Sequence, residues 1–440
     1  MNANRRIDAV AVLGGGTMGC GIAGACAQAG CNVLLLDISA EQAEKALDRI
    51  VNGRPPAIDD PAAAERIAVG TFDEDLARIA DYDWICEAVI EDLATKRALI
   101  ERLEPLRRDG SVVSTNTSGI PLRDITAGMP ARLRRDIAVT HFFNPVKVMR
   151  LMELVPDVDT TPDVIEALAE FCGSRLGKGV VHAKDTVNFI GNRIGCFWML
   201  KGLHDAKAAR GEGLSMEMVD ALMSGPVGLP STGLYGLIDL IGLDVMDFVA
   251  RNLDANLPAD DRGRAYTSFP PEEQAMLACG QLGRKSGGGF YRMLKTDDGG
   301  RRKEVFDLDR GDWRPAVEVE IDAAHGAAPE LVFADDAGGR FAWSLMVGTL
   351  CYAADLVPEI SDDIVNIDRA MCWGFAWRRG PFELLDEIGP SRVAARLQSD
   401  GARVPAMLEV LRDAGGERFY RANGEEFLGR DGAYRPVPGE

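Results

Sequence analysis

Histidine is scarce in this chain, with four in 440 residues, and none of the nine cysteines forms a Cys-x-x-Cys pair. That shortage argues against the usual zinc frameworks and a disulfide scaffold, so no metal site is expected and the thiols read as reduced, in a cytoplasmic compartment. Positive charge is also in short supply. Lys and Arg number 49 against 68 Asp and Glu, a net charge of −19, which argues against a nucleic-acid or anionic-membrane partner. Long apolar runs are missing too. The uncharged, apolar-rich run at 341–354 is too short to span a bilayer. The opening MNANRR leads straight into a strand-like run, so no secretory core is expected ahead of it. The length suits two or three domains, each with its own core.

The present residues are more telling. Residues 7–13, IDAVAVL, are apolar and β-rich, and GGGTMG follows at 14–19. A helical stretch then ends at Gly30, and NVLLLD closes on Asp37. Strand, GxGxxG, helix, strand and acid together predict a dinucleotide site. Gly14 allows the tight turn, Gly16 lets backbone approach a pyrophosphate, and Gly19 lets the helix pack on the strand; Thr17 and Met18 start that helix. Asp37 can accept from both ribose hydroxyls and repels a 2′-phosphate, which selects NAD over NADP. Ser39 and Gln42 predict a capped helix to about residue 52. Strands are expected at 84–89, 111–116, 136–143 and 179–183, with helices at about 93–107 and from Pro162 to Gly177. This alternation predicts a doubly wound, Rossmann-type α/β domain over 1–186, with ligands beyond the carboxyl ends of the strands. Glu91, Asn116, Ser118 and His141 all fall at or just after such ends.

From about residue 188 the pattern turns helical, and it repeats. GLYGLIDLIG (233–242) and GPFELLDEIG (380–389) match at several positions, and Asp220 and Asp368 precede them at nearly equal offsets. Two all-α domains related by duplication are therefore expected, at 187–293 and 336–440. The stretch 294–335, rich in charge, Gly and Pro, reads as a linker. Asp239 and Asp386 read as fold-holding caps.

HFFNPVKVMRLMELV (141–155) places His141 and, twelve residues on, Glu153 among apolar neighbours. Together with GGGTMGCGIA, STNTSGIPL, FIGNRIG and GRKSGGGFY it resembles the L-3-hydroxyacyl-CoA dehydrogenase family, over about 1–293. The second helical unit resembles the duplicated C-terminal region of the larger fatty-acid oxidation proteins, though no crotonase-like domain is found here.

The resemblance implies NAD-dependent oxidation of L-3-hydroxyacyl-CoA, with His141 as general acid/base and Glu153 as its carboxylate partner. It implies that Ser118 and Asn192 hold the reacting end of the substrate. Asn144 would lie near the nicotinamide or the histidine. Asp37, Glu91 and Lys96 would contact the cofactor, with Asn116 nearby, and Lys285 would lie near the nucleotide. Val187-Asn188 stand where the family often has Pro-Gly, which bears on the placement of Asn192. The segment between Asp37 and Glu91 is shorter than in small family members, which leaves Arg49 and Arg54 as candidates for gripping CoA. A hydratase or thiolase partner is implied, and the second helical copy favours a monomer over the homodimer of single-copy relatives. Two other readings stay open: a dehydrogenase of a free hydroxy acid, and a non-catalytic NAD-binding module of a multienzyme assembly.

Overall fold

The computed structural model describes residues 5–296 and 299–439. They divide into two compact units, the first running to Ile190 and the second covering Gly191–Pro438.

The first unit is built on an eight-stranded sheet. Its strands are β1 (Ala9–Leu13), β2 (Asn32–Asp37), β3 (Ile67–Thr71), β4 (Trp84–Glu87), β5 (Val112–Thr115), β6 (Ile137–Phe142), β7 (Leu151–Pro156) and β8 (Gly179–His182). Their order is β3-β2-β1-β4-β5-β6-β7-β8. All neighbours run parallel except β6 and β7, which are antiparallel. The central strands β4, β5 and β6 are buried along their whole length because helices cover both faces, and their polar residues gather toward the carboxyl ends. Helix α1 (Thr17–Gln28) carries no charge and buries Ile22, Ala23, Cys26 and Ala27. Helix α2 (Ala40–Asn52) starts where Ser39 accepts from the Gln42 amide, at 3.3 Å. Helix α3 (Leu93–Leu103) is capped in the same way by Asp92, which accepts from the Thr95 amide at 2.8 Å.

Two elements depart from expectation. Strand β3 was not anticipated, because IAVGT is short, contains glycine and lies half-exposed at the sheet edge. The helix from Pro162 keeps α geometry only to Glu170, and Phe171–Arg175 continue as a π turn. That turn brings Phe171 edge-on to Trp84, with ring centroids 5.6 Å apart.

The second unit is not all-α as expected. Its helices share it with two three-stranded antiparallel sheets, Tyr291–Lys295, Arg301–Asp307 and Asp312–Pro315 in one, Tyr420–Arg421, Glu426–Leu428 and Tyr434–Pro436 in the other. Strands therefore occupy the first part of the stretch read as a linker, up to Pro315. Glu304 pairs across strands with Arg292 and along its own strand with Arg302, each at 2.7 Å, while Val305 is buried and Trp313 packs on Phe306.

Four aspartates organise this unit. Asp239 accepts from the amides of Phe290 and Tyr291, both at 2.7 Å, and Asp386 from those of Phe419 and Tyr420, at 2.7 and 2.8 Å. Asp220 takes the amides of Tyr235 and Gly236, and Asp368 those of Phe382 and Glu383. Each of the first pair ties a helix to the start of a strand. Removing the Asp239 carboxylate strands two backbone donors, at about 1–3 kcal/mol each. Asp239→Ala is expected to lose about 2–5 kcal/mol of stability in urea unfolding; a loss under about 1 kcal/mol would show that water satisfies those amides instead.

Candidate active site

The glycine turn sits between β1 and α1, where strand order reverses and doubly wound sheets open a crevice. Gly14 has φ +114°, and a Cβ there would lie 2.6 Å from the Ala88 carbonyl oxygen. At Gly19 a Cβ would lie 1.8 Å from the Gly14 carbonyl oxygen, so only glycine lets α1 approach. Gly16 faces open space instead and is exposed, as is Thr17, with Met18 half-buried. This is the clear approach to a helix N-terminus that a pyrophosphate needs.

Asp37 closes β2 and accepts from the Gly15 amide at 2.8 Å, which fixes its carboxylate beside the turn. Arg49 braces the turn from α2 by donating to the Gly15 carbonyl at 3.2 Å; Arg54 is exposed beyond the helix end. Ile38 and Ile90 are 73% and 68% exposed just past β2 and β4. Sequence reasoning missed both, although an apolar residue directly after a buried strand was the signal. Their placement suits the faces of a planar base. Glycine turn, acid and apolar flanks fit NAD.

Further along the same carboxyl edge, β6 and β7 set His141 directly opposite Glu153. His141 Nδ1 lies 2.6 Å from Glu153 Oε2, and Nε2 lies 3.0 Å from Ser118 Oγ. Glu153 is fully buried and His141 nearly so. The Ile190 amide donates to Glu153 Oε1 at 3.0 Å, and the Phe189 and Phe143 rings lie 5.7 and 4.6 Å from the imidazole. Asn188 and Phe189 have φ of 61° and 49°, left-handed values at the point where the family often carries glycine. Asn tolerates this conformation better than most residues, and the turn delivers the Ile190 amide to Glu153. Phe189 and Ile190 were not singled out, though they are the first two residues of the FIGNR motif.

Ser118 is placed by a chain of buried charge. Glu91 Oε1 accepts from the Thr117 hydroxyl and from the amides of Ser118 and Gly119, at 2.6, 2.7 and 2.9 Å. Its other oxygen lies 3.3 Å from Lys96, whose ammonium is 2.9 and 3.1 Å from the two Glu87 oxygens. Burial alone would raise the Glu91 pKa, but Lys96 and these three donors outweigh it and hold the group below its usual value. Glu91 and Lys96 thus shape the Ser118 turn, with Lys96 almost wholly buried. Asn116 is likewise committed: its Oδ1 accepts from the Phe142 amide at 2.9 Å. Asn144 is exposed at the end of β6.

Asn192 and Lys285 belong to the second unit. Asn192 lies half-buried in the first turn of helix Gly191–Gly211, and Lys285 pairs with Asp244 at 2.5 Å. No group of three or more His, Cys, Asp or Glu among the described residues could hold a metal. No helix among them is long and apolar enough to cross a membrane.

The doubly wound sheet and its glycine turn define a dinucleotide-binding domain. The family models for the 3-hydroxyacyl-CoA dehydrogenase NAD binding domain and C-terminal domain match residues 9–186 and 189–293. A probable 3-hydroxyacyl-CoA dehydrogenase of Bacillus subtilis is 34% identical, over 99% of this chain and 58% of its own length. One from Deinococcus radiodurans is 36% identical, over 66% of this chain and 84% of its own. The crystal structure of 3-hydroxybutyryl-CoA dehydrogenase from Escherichia coli superposes with a TM-score of 0.70 at 25% identity, covering 92% of this chain and 98% of that one. The chain belongs to the 3-hydroxyacyl-CoA dehydrogenase family and carries its NAD-binding domain. It spans about half the length of the first curated relatives it matches, 58%, 53% and 53%.

Proposed function

We propose that this chain oxidises L-3-hydroxyacyl-CoA to 3-ketoacyl-CoA with NAD, in fatty-acid β-oxidation. The observation that carries the reading is His141, held between Glu153 and Ser118 at the carboxyl edge of a dinucleotide-binding sheet. NAD, when bound, supplies the hydride acceptor. His141 Nε2 takes the proton of the 3-hydroxyl, and in the reverse direction returns it to the forming alkoxide. Glu153 Oε2 accepts the Nδ1 hydrogen, which fixes the tautomer and stabilises the imidazolium. The Ile190 amide holds the other Glu153 oxygen, so the carboxylate does not rotate away. Ser118 Oγ orients the substrate oxygen onto Nε2, and Asn192 polarises it. Asp37 and the turn at Gly14, Gly16, Thr17, Met18 and Gly19 hold the cofactor, with Asn116, Asn144, Glu91, Lys96 and Lys285 in the surrounding shell.

The two helical halves are copies related by duplication. The matched aspartate clamps support this, since Asp220 with Asp239 and Asp368 with Asp386 hold equivalent backbone amides. The second copy then favours a monomer over a homodimer. The chain acts in the cytoplasm with a hydratase or thiolase partner; the partner reading is supported by relatives named as putative fatty acid oxidation complex trifunctional enzymes.

The test is the loss of NADH absorbance with acetoacetyl-CoA and with a long-chain 3-ketoacyl-CoA, NADPH serving as the control. Oxidation of NADH by either ester is expected, and the ratio of rates sets the chain-length class. Binding of NADH without turnover of either ester would overturn the reading.

A further inference from the structure

The second unit holds a cavity of about 450 Å³ between its two helical halves. Lys201, Arg262 and Tyr266 line it from the first half; Trp343, Ser344 and Arg403 are among the lining residues from the second. The family model for the C-terminal domain ends at residue 293, so Trp343, Ser344 and Arg403 lie outside its match.

The lining is one-sided in charge. It carries three cations and no carboxylate among the described residues. Lys201 is neutralised where it stands, with Asp205 at 2.6 Å, Ser344 Oγ at 3.0 Å and the Tyr266 ring 5.1 Å away. Arg262 and Arg403 are not. Both pair with the single carboxylate of Asp355, at 3.2 and 2.5 Å, which leaves one net positive charge on two oriented guanidiniums. Asp355 spends few of their donors, and guanidinium forks match phosphate and carboxylate oxygens. Apart from Ser344, the rest of the lining is aromatic, apolar or small, with Tyr266, Trp343, Val347 and Leu397 its larger side chains. The Arg396 guanidinium lies 4.0 Å from the Trp343 ring centre and holds it in place. A volume in this range suits a small metabolite.

We propose that this cavity is a ligand site for a small molecule bearing one anionic group, phosphate or carboxylate, on a flat or aliphatic body. The anion sits on Arg262 and Arg403, and the body lies along Trp343 and Tyr266. The site is independent of the dehydrogenase chemistry.

Calorimetric titration of the full chain, saturated with NADH so that the nucleotide site is filled, tests it. The probes are phenyl phosphate, octanoate and inorganic phosphate. One site per chain is expected for phenyl phosphate or octanoate, and the tighter of the two identifies the anion. Inorganic phosphate alone should bind about tenfold or more weakly, because it leaves the aromatic wall uncovered. Arg403→Gln should weaken the better probe about tenfold or more, as should Arg262→Gln. Both side chains are about half-exposed or more, so these variants should fold, and an unchanged thermal midpoint would show it. Trp343→Phe, which keeps a ring, should weaken the same probe less than either arginine variant. No binding at millimolar concentration, or binding indifferent to both arginine variants, would overturn the proposal.

Discussion

Replacing His141 by alanine is expected to lower turnover of a 3-ketoacyl-CoA by about 10²–10⁴-fold while leaving NADH affinity within a few-fold of the parent. The split follows from where the side chain sits. His141 closes β6, whereas the glycine turn and Asp37 lie at the ends of β1 and β2, on the far side of β4 and β5 in the sheet order. Imidazole loss therefore removes the group that protonates the forming alkoxide, without touching the dinucleotide cradle. Glu153→Gln makes a sharper companion. It keeps the size of the side chain, but its single amide oxygen can accept from the Nδ1–H or from the Ile190 amide and not from both, and it takes away the counter-charge that steadies the imidazolium. Turnover should fall, though less than in the alanine variant. Stopped-flow turnover and NADH fluorescence titration of both variants check this. If His141→Ala retained near-parental turnover, the acid/base assignment would be lost; if it abolished NADH binding, the variant would have disturbed the sheet.

The sheet was legible in the sequence because its central strands announce themselves. NVLLLD and WICE hold short apolar runs of strand length, which suit strands covered on both faces, and Gly14, Gly16 and Gly19 punctuate the first turn at a spacing that chemistry dictates. His141 opposite Glu153 was legible too, because twelve residues with a turn between them return a strand to its neighbour. The misses share another cause. β3 is an edge strand, half-exposed, and its pattern is too weak to stand out. The charge-rich stretch after residue 293 looked unfolded because its apolar positions are few; cross-strand pairs such as Arg292 with Glu304 do the ordering there, and sequence spacing does not reveal which charges will meet. The resemblance sets Glu91 and Lys96 at the cofactor; that their bonds also run to the Ser118 turn and to Glu87 was not legible, because no motif flags Glu87.

That buried chain of charge carries the second large expectation. Lys96→Met should cost about 3–5 kcal/mol of stability, because it leaves Glu87 and Glu91 without their shared cation. Glu87 is fully buried, and besides Lys96 its oxygens accept from the Val89 amide at 2.7 Å and the Thr115 hydroxyl at 2.5 Å. Those neutral donors do not replace a full positive charge in a dry site. The effect should reach the active site through Glu91, since the Thr117 hydroxyl and the Ser118 and Gly119 amides all rest on it. The pH dependence has a definite sign. Glu91 titrates below its ordinary value in the folded chain, so its contribution to stability is complete above the unfolded pKa and is lost as pH falls through the depressed folded one. Without Lys96 the burial that raises this pKa is less opposed, so part of the acid-side loss should move to higher pH. Urea unfolding at neutral and mildly acidic pH measures both quantities. Glu87→Gln combined with Lys96→Met should recover part of the loss, because it removes one of the two stranded carboxylates. A Lys96→Met protein as stable as the parent at neutral pH would mean that water, not the ammonium, neutralises this cluster, and that Ser118 is held by its turn alone.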